Sequence, residues 1–177
     1  AILREQDYGA HPVHTFGLAA DADVRVEHPA CDSYGCYRFT VDGVEFHLSL
    51  AGRHNIYNAL AAIAMGRYFD MPLDAIKKGA EALTEVDRRL SIEKHNGMRI
   101  INDVYNANPG SCRAALNTGA DIQIESGGRR VAVFGDMLEL GDFSKMEHQK
   151  LAEATLAAGF DALFLYGDQT RATESRA

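Results

Sequence analysis

Apolar and polar positions alternate in Tyr37-Arg38-Phe39-Thr40-Val41 and again in Val44-Glu45-Phe46-His47-Leu48, with Asp42-Gly43 between them. A period of two marks a strand with one buried face, and Asp-Gly supplies the positive φ that a tight primed turn needs at both central positions. This pair predicts a β-hairpin, and parity puts His47 on its polar face. After Gly52 the period lengthens. Ile56, Leu60, Ile63, Ala64, Met65 and Tyr68 fall at helical spacing and predict an Ala-rich helix to about Phe69. Pro72 opens a second helix with Leu73, Ile76, Ala80 and Leu83 on one face.

Further along, Leu90 to Glu93 and Met98 to Asn102 predict strands joined at Asn96-Gly97, a second hairpin signal. A helix from Pro109 carries Ala114, Ala115 and Leu116 and fades near Gly119. Ser126-Gly127-Gly128 is a loop. Val131-Ala132-Val133-Phe134 is a continuous apolar run, expected to be buried on both faces if its sheet is parallel. A helix from Ser144 to about Ala158 offers Met146, Leu151, Ala154 and Leu156 to a core, and Ala162 to Tyr166 is the last strand. From residue 98 this is a strand–helix alternation of the Rossmann-like α/β kind. Val13 to Phe16 and Val24 to Val26 are candidate short strands, and residues 1–12 read as a polar lead-in. Leu83 to Arg89, with Asp87-Arg88-Arg89 at its end, reads as a link between two domains, residues 1–87 and 88–177.

Composition narrows the partners. The chain has 177 residues, 46% of them hydrophobic, enough for one core or two small ones. Eighteen basic against 25 acidic residues give a net charge of −7, with no basic run. A nucleic-acid backbone or an anionic membrane is therefore not the expected partner, although a local basic pocket is still compatible with the sequence. No apolar stretch approaches the ~20 residues of a membrane span, and no signal-peptide pattern opens the chain. Cys31, Cys36 and Cys112 are an odd number at spacings that complete no zinc site, as in a reduced cytoplasmic protein.

The stretch richest in candidate chemistry is Ile100 to Ser111, where an apolar run ends at Asn102-Asp103 and a polar loop leads to Asn108-Pro109. Asn108 suits a helix cap and Pro109 the first helical position. Ligands of open α/β sheets collect past the carboxyl ends of strands, where Asp103, Tyr105, Asn106 and Asn108 would stand. The same residue types also build ordinary strand-to-helix turns.

Three further motifs change the picture. Gly52-Arg53-His54-Asn55-Ile56-Tyr57-Asn58-Ala59-Leu60-Ala61-Ala62, Arg89-Leu90, Asp103-Val104-Tyr105-Asn106-Ala107-Asn108-Pro109 and Gly135-Asp136-Met137-Leu138-Glu139-Leu140-Gly141, in this order, resemble the Mur ligases. The pattern is most similar to the branch that adds D-alanyl-D-alanine to UDP-N-acetylmuramoyl-tripeptide. The resemblance implies the end of a Mur-ligase central ATP-binding domain followed by an incomplete Rossmann-like C-terminal domain. It also implies a cytoplasmic, monomeric enzyme of cell-wall precursor synthesis that uses ATP and Mg²⁺ and forms an acyl phosphate which an amine then attacks.

The resemblance assigns ATP contacts to His54, Asn55, Asn58, Arg89, Asp103, Tyr105 and Asn106, with Asp103 toward the ribose hydroxyls and Arg89 toward the phosphates. It places Asn108, Asp136 and Glu139 on the substrate side. Asn55 suits helix capping as well as adenine pairing, and the two roles are compatible. His148, inside a helix, reads as a satisfied or solvated histidine. The family's usual Gly before the Arg-Leu pair is Arg88 here, so either arginine can be the one that meets phosphate. No G-x-x-x-x-G-K-[ST] loop occurs. The resemblance therefore puts the phosphate loop, the Mg²⁺-holding acid and a modified lysine upstream of Ala1, and these residues alone are expected not to ligate. The alternatives are a related ligase with a different amine substrate, of the Mur or folylpolyglutamate kind, or a non-catalytic nucleotide-binding module.

Overall fold

Both predicted turns form as their residues require. Asp42 and Gly43 take φ of 46° and 78°, and Asn96 and Gly97 take 48° and 78°, the two positive values of a type I′ turn. The computed structural model describes Gly9, residues 13–84 and residues 88–174. The lead-in other than Gly9, and residues 85–87 of the expected linker, lie outside the described residues.

Strands β1 (Phe16–Gly17) and β2 (Val24–Arg25) form a short parallel pair. β3 (Glu27–Cys31), β4 (Cys36–Val41) and β5 (Val44–Ala51) make an antiparallel sheet in that order. β3 escapes pattern reading because it contains Pro29 and has no alternating apolar residues. It is an edge strand whose register shifts between Glu27 and Ala30, with His28 at φ 52°. Phe39 and Phe46 stack across β4 and β5 with ring centroids 5.5 Å apart. His47 is exposed, as parity predicts, and lies 3.1 Å from Glu45.

Helices α1 (His54–Tyr68) and α2 (Leu73–Glu81) cover that sheet. Ile56, Leu60 and Ile63 are fully buried in a first core with Phe39, Val41, Phe46, Ile76 and Ala80. Met65 and Tyr68, grouped with them by spacing, are instead 59% and 58% exposed. Met65 is nine residues past Ile56, about two and a half turns, and so lies on the opposite face. Leu83 is likewise exposed, since α2 ends at Glu81 before it can join the buried face.

β6 (Ser91–His95) and β7 (Met98–Asn102) are the second hairpin. α3 (Pro109–Asp121) follows, then β8 (Val131–Gly135), a 3₁₀ turn at Gly141–Phe143, α4 (Ser144–Ala157), β9 (Ala162–Tyr166) and the short α5 (Arg171–Glu174). The strand–helix alternation is present; β8 pairs with β9 in parallel, and β7 pairs with β6. A second core gathers Cys112, Leu116, Ala132, Met137 and Leu151.

Two expectations fail in this half of the chain. β8 is not buried on both faces, because Val133 is 71% exposed and its partner Phe164 61%. Among the described residues, helices cover the face that carries Ala132. In α4, Met146 and Leu156 are exposed, while His148, Leu151, Ala152 and Thr155 turn inward. That face repeats at i, i+3, i+4 and i+7. Its two polar members are tolerated because they are hydrogen-bonded: Thr155 Oγ1 donates to Leu151 O at 2.8 Å.

Candidate functional site

The loop from β5 into α1 brings His54, Asn55 and Asn58 to one end of the first core. The expected cap at Asn55 does not form. Arg53 occupies the cap position with no side-chain hydrogen bond, and Asn55 lies inside the first turn. Its Nδ2 donates back to Ala51 O at 2.7 Å, and its Oδ1 accepts from Asn58 Nδ2 at 2.9 Å. Asn55 thereby ties the helix start to the end of β5, and Asn58, on the exposed side, steadies its amide. Gly52 takes φ 100°, and its missing Cβ is what lets the His54 ring lie close.

Asp103 leaves the end of β7 half-buried, and its Oδ1 accepts the Leu90 N–H at 3.1 Å. Burial raises its pKa above the ordinary 3.8, opposed by the Leu90 N–H, His54 and Arg89. Burial likewise lowers the pKa of His54, and the Asp103 carboxylate opposes that shift. The two side chains, 49 positions apart in the sequence, thus share one electrostatic environment. One hydrogen bond leaves a carboxylate most of its accepting capacity. The Arg89 guanidinium stacks 4.1 Å from the centre of the Tyr105 ring, a cation–π contact that holds an exposed arginine in place. Tyr105 N–H donates to Arg88 O at 3.2 Å. Arg88 itself sits at φ 60°, a conformation natural to the glycine that the resemblance expects there. Asn106 is exposed on the same loop.

Asn108 caps α3 as predicted. Its Oδ1 accepts from Gly110 and Ser111 N–H, both at 2.9 Å, and Ser111 Oγ accepts the Asn108 N–H at 3.1 Å. Its carbonyl oxygen is thus already committed to the helix. Asp136 Oδ1 accepts the Thr170 N–H at 2.9 Å, and its carboxylate fills the space beside Gly167. Glu139 is exposed at φ 63°. Asp136 and Glu139 thus stand past β8, and the Thr170 N–H that holds Asp136 is separate from the contacts of the His54–Asp103 group. His148 is satisfied, as expected: Nε2 accepts the Met137 N–H at 3.1 Å and Nδ1 lies 2.8 Å from Ser144 O. It anchors the Met137 loop to α4.

Sequence reading gave Gly52 no role beyond opening a motif, and missed the Leu90 N–H and Thr118, whose hydroxyl would stand 2.8 Å from a Cβ on Gly52. A signal existed only for Gly52, a glycine between a strand pattern and a helix pattern. Asn102 Oδ1 is also notable. Its amide is oriented by the donation from Nδ2 to Glu93 at 3.2 Å, and the oxygen is buried with no hydrogen-bond partner among the described residues.

Among the described residues no three His, Cys, Asp or Glu side chains gather as a cation site. A hollow of about 260 Å³ between α3 and α4 and one of about 410 Å³ beside β2 and β3 both lie away from the His54–Asp103 edge. Among the described residues no helix is long and apolar enough to cross a membrane.

The family model described as "Mur ligase, glutamate ligase domain" matches residues 88–177, and "Mur ligase middle domain" matches residues 2–66. The chain belongs to the Mur ligase family. The UDP-N-acetylmuramoyl-tripeptide--D-alanyl-D-alanine ligase of Escherichia coli (strain K12) is 40% identical over 159 residues, 87% of this chain and 34% of that protein. The Bacillus subtilis (strain 168) protein of the same name is 35% identical over 156 residues, 86% of this chain and 34% of that protein. A crystal structure of MurF from Acinetobacter baumannii superposes with a TM-score of 0.86 at 30% identity, covering 95% of this chain and 36% of that one. This Mur ligase chain thus spans about a third of the length of the curated relatives it matches.

Proposed function

We propose that this chain supplies the adenosine-facing edge of an ATP-dependent ligase that joins D-alanyl-D-alanine to UDP-N-acetylmuramoyl-tripeptide, and that its two lobes are residues 1–87 and 88–177. The observation that carries the reading is the grouping at the end of β7, where Asp103 Oδ1 accepts the Leu90 N–H and the neighbouring Arg89 is held on Tyr105, with the Asp103 charge acting on His54 at the start of α1. The names of the Escherichia coli and Bacillus subtilis relatives support the substrates.

Each group has a physical task in this reading. Asn55 and Asn58 carry donors and acceptors that can pair with adenine. The spare lone pairs of Asp103 accept from the ribose hydroxyls. Arg89, always charged and planar, meets the phosphates, and Tyr105 keeps it there. Phosphoryl transfer depends on positioning and charge neutralisation. With no G-x-x-x-x-G-K-[ST] loop in the 177 residues, the chain contributes to the adenosine half of the site and does not ligate alone.

Amide-resolved NMR titration with adenosine and with ATP tests the reading. Shifts are expected at His54, Asn55, Asp103 and Tyr105, and should be lost in Asp103→Ala. Shifts confined to other surfaces, or none at millimolar adenosine, would overturn it. Phosphate release from ATP with Mg²⁺ and both substrates should stay at background for this chain.

A further inference from the structure

The turn between β3 and β4 is built more firmly than a surface hairpin requires. Asp32 Oδ1 accepts from the N–H groups of Tyr34 and Cys36 at 2.8 and 2.9 Å, and Gly35 N–H returns to Asp32 O at 3.2 Å. One side of this turn meets the second lobe. Ser33 O accepts from Arg99 Nη1 at 2.8 Å, while Arg99 Nη2 donates to Gln123 O at 2.6 Å. The Lys94 ammonium lies 5.0 Å from the centre of the Tyr34 ring. Two residues past the turn, the Tyr37 hydroxyl donates to Asp121 Oδ2 at 2.7 Å.

Its other side holds the start of α1, because Gly35 O accepts the Gly52 N–H at 2.8 Å and Gly52 leads into His54. Both glycines abut α3. A Cβ on Gly35 would stand 3.2 Å from Ile122 Cγ1 and 3.4 Å from Thr118 Cγ2, and one on Gly52 would stand 2.8 Å from Thr118 Oγ1. A glycine-to-threonine approach alone is a pivot. Hydrogen bonds around a pivot are directional, so they fix its rotation.

We propose that the Asp32–Gly35 turn is a latch that sets the angle between the two lobes, and that Tyr37, Asp121 and Arg99 are positioning residues for the His54–Asp103 edge. What that edge binds rests on the function proposed above; the latching itself does not. With the latch closed, α1 and β7 present their ends to one ligand. With it open, the lobes turn about Thr118 and the two ends part.

Residual dipolar couplings of the 177-residue chain read the lobe angle directly. In the wild type, amides of α1, α3 and α4 should fit one alignment tensor. In the double variant Tyr37→Phe with Arg99→Met, each lobe should still fit its own tensor, but the two tensors should differ. Exchange of the Gly52 amide should then rise about tenfold, the effect of losing one or two modest hydrogen bonds. Asp121→Asn keeps an acceptor for Tyr37 and should retain the single tensor; Asp121→Leu should not. A single tensor in the double variant would overturn the proposal. So would loss of either lobe's internal fit, which would make these residues supports of one lobe. Adenosine titration of the same samples separates the two readings. A wild type with a single tensor and no adenosine shifts would sink the nucleotide edge and leave the latch to the couplings.

Discussion

Replacing Gly52 by alanine perturbs the seam at one atom. The added Cβ would stand 2.5 Å from His54 Cε1, 2.8 Å from His54 Nδ1 and 2.8 Å from Thr118 Oγ1, on a backbone at φ 100°. Thr118 has little room to yield, since its hydroxyl donates to Ala114 O at 2.8 Å. The His54 ring must therefore swing out or Gly52 and α3 must part. The left-handed backbone costs roughly 1–2 kcal/mol for a residue with a Cβ, and overpacking adds roughly 1–3 kcal/mol. A stiffer unfolded chain returns roughly 0.4–1 kcal/mol. The net expectation is a loss of about 1–4.6 kcal/mol, read by urea unfolding with the slope checked for two-state behaviour. Gly79→Ala is the control. Its Cβ would meet nothing within 4 Å and α2 would gain helix propensity, so it should stabilise by about 0.5–1 kcal/mol. Adding Thr118→Ala to Gly52→Ala should recover on the order of 1 kcal/mol relative to the sum of the single variants. A Gly52→Ala protein within about 0.5 kcal/mol of wild type, with no coupling to Thr118, would refute the account of the seam.

The other expectations concern charge, backbone and caps. Because burial raises the Asp103 pKa in the fold, its carboxyl favours folding most at acid pH, and that contribution is lost as pH rises from the ordinary 3.8 through the raised folded value. Asp103→Asn, which still accepts the Leu90 N–H, should therefore gain in stability over wild type between acid and neutral pH in paired urea titrations. His54 acts in the opposite sense. Its lowered folded pKa makes stability fall as pH drops below 6.5, and His54→Gln should flatten that limb of the same titration. Arg88→Gly removes a left-handed strain of about 1–2 kcal/mol against a backbone-entropy cost of roughly 0.5–1 kcal/mol. Thermal unfolding should show it equal to or more stable than wild type. Asn108→Ala loses the two bonds that Oδ1 accepts from Gly110 and Ser111 N–H, while the bond from the backbone N–H of residue 108 to Ser111 Oγ is kept; it should destabilise by about 1 kcal/mol, with faster amide exchange at Gly110 and Ser111.

Much of this architecture is legible in the residues because turn and cap chemistry is local. Asp42-Gly43, Asn96-Gly97 and Asn108-Pro109 form what their own φ preferences and side chains specify. Alternation found β4 and β5, and helical spacing found the long helices, since a buried face writes its period into the chain. Spacing was weaker at saying which apolar residues the face includes. Met65, Tyr68, Met146 and Leu156 are apolar and in phase with some neighbour, yet solvent meets them, while His148 and Thr155 are polar and inside. A hydrogen bond offered by a distant element is what makes the inward position tolerable, and the Met137 N–H that satisfies His148 carries no mark in the helix that holds it.

The candidate site divides the same way. That Asn55, Arg89, Asp103 and Tyr105 bear useful chemistry at strand and helix ends follows from the sequence. That His54 feels Asp103, that Arg89 rests on Tyr105, and that the turn at Asp32–Gly35 bonds to both Arg99 and Gly52 were decided only when the chain folded back on itself. Local order follows from each residue's own dihedral and hydrogen-bonding preferences. A meeting of segments far apart in sequence depends on the whole packing around them, on how closely Gly35 and Gly52 let α3 approach, and no single stretch contains that information.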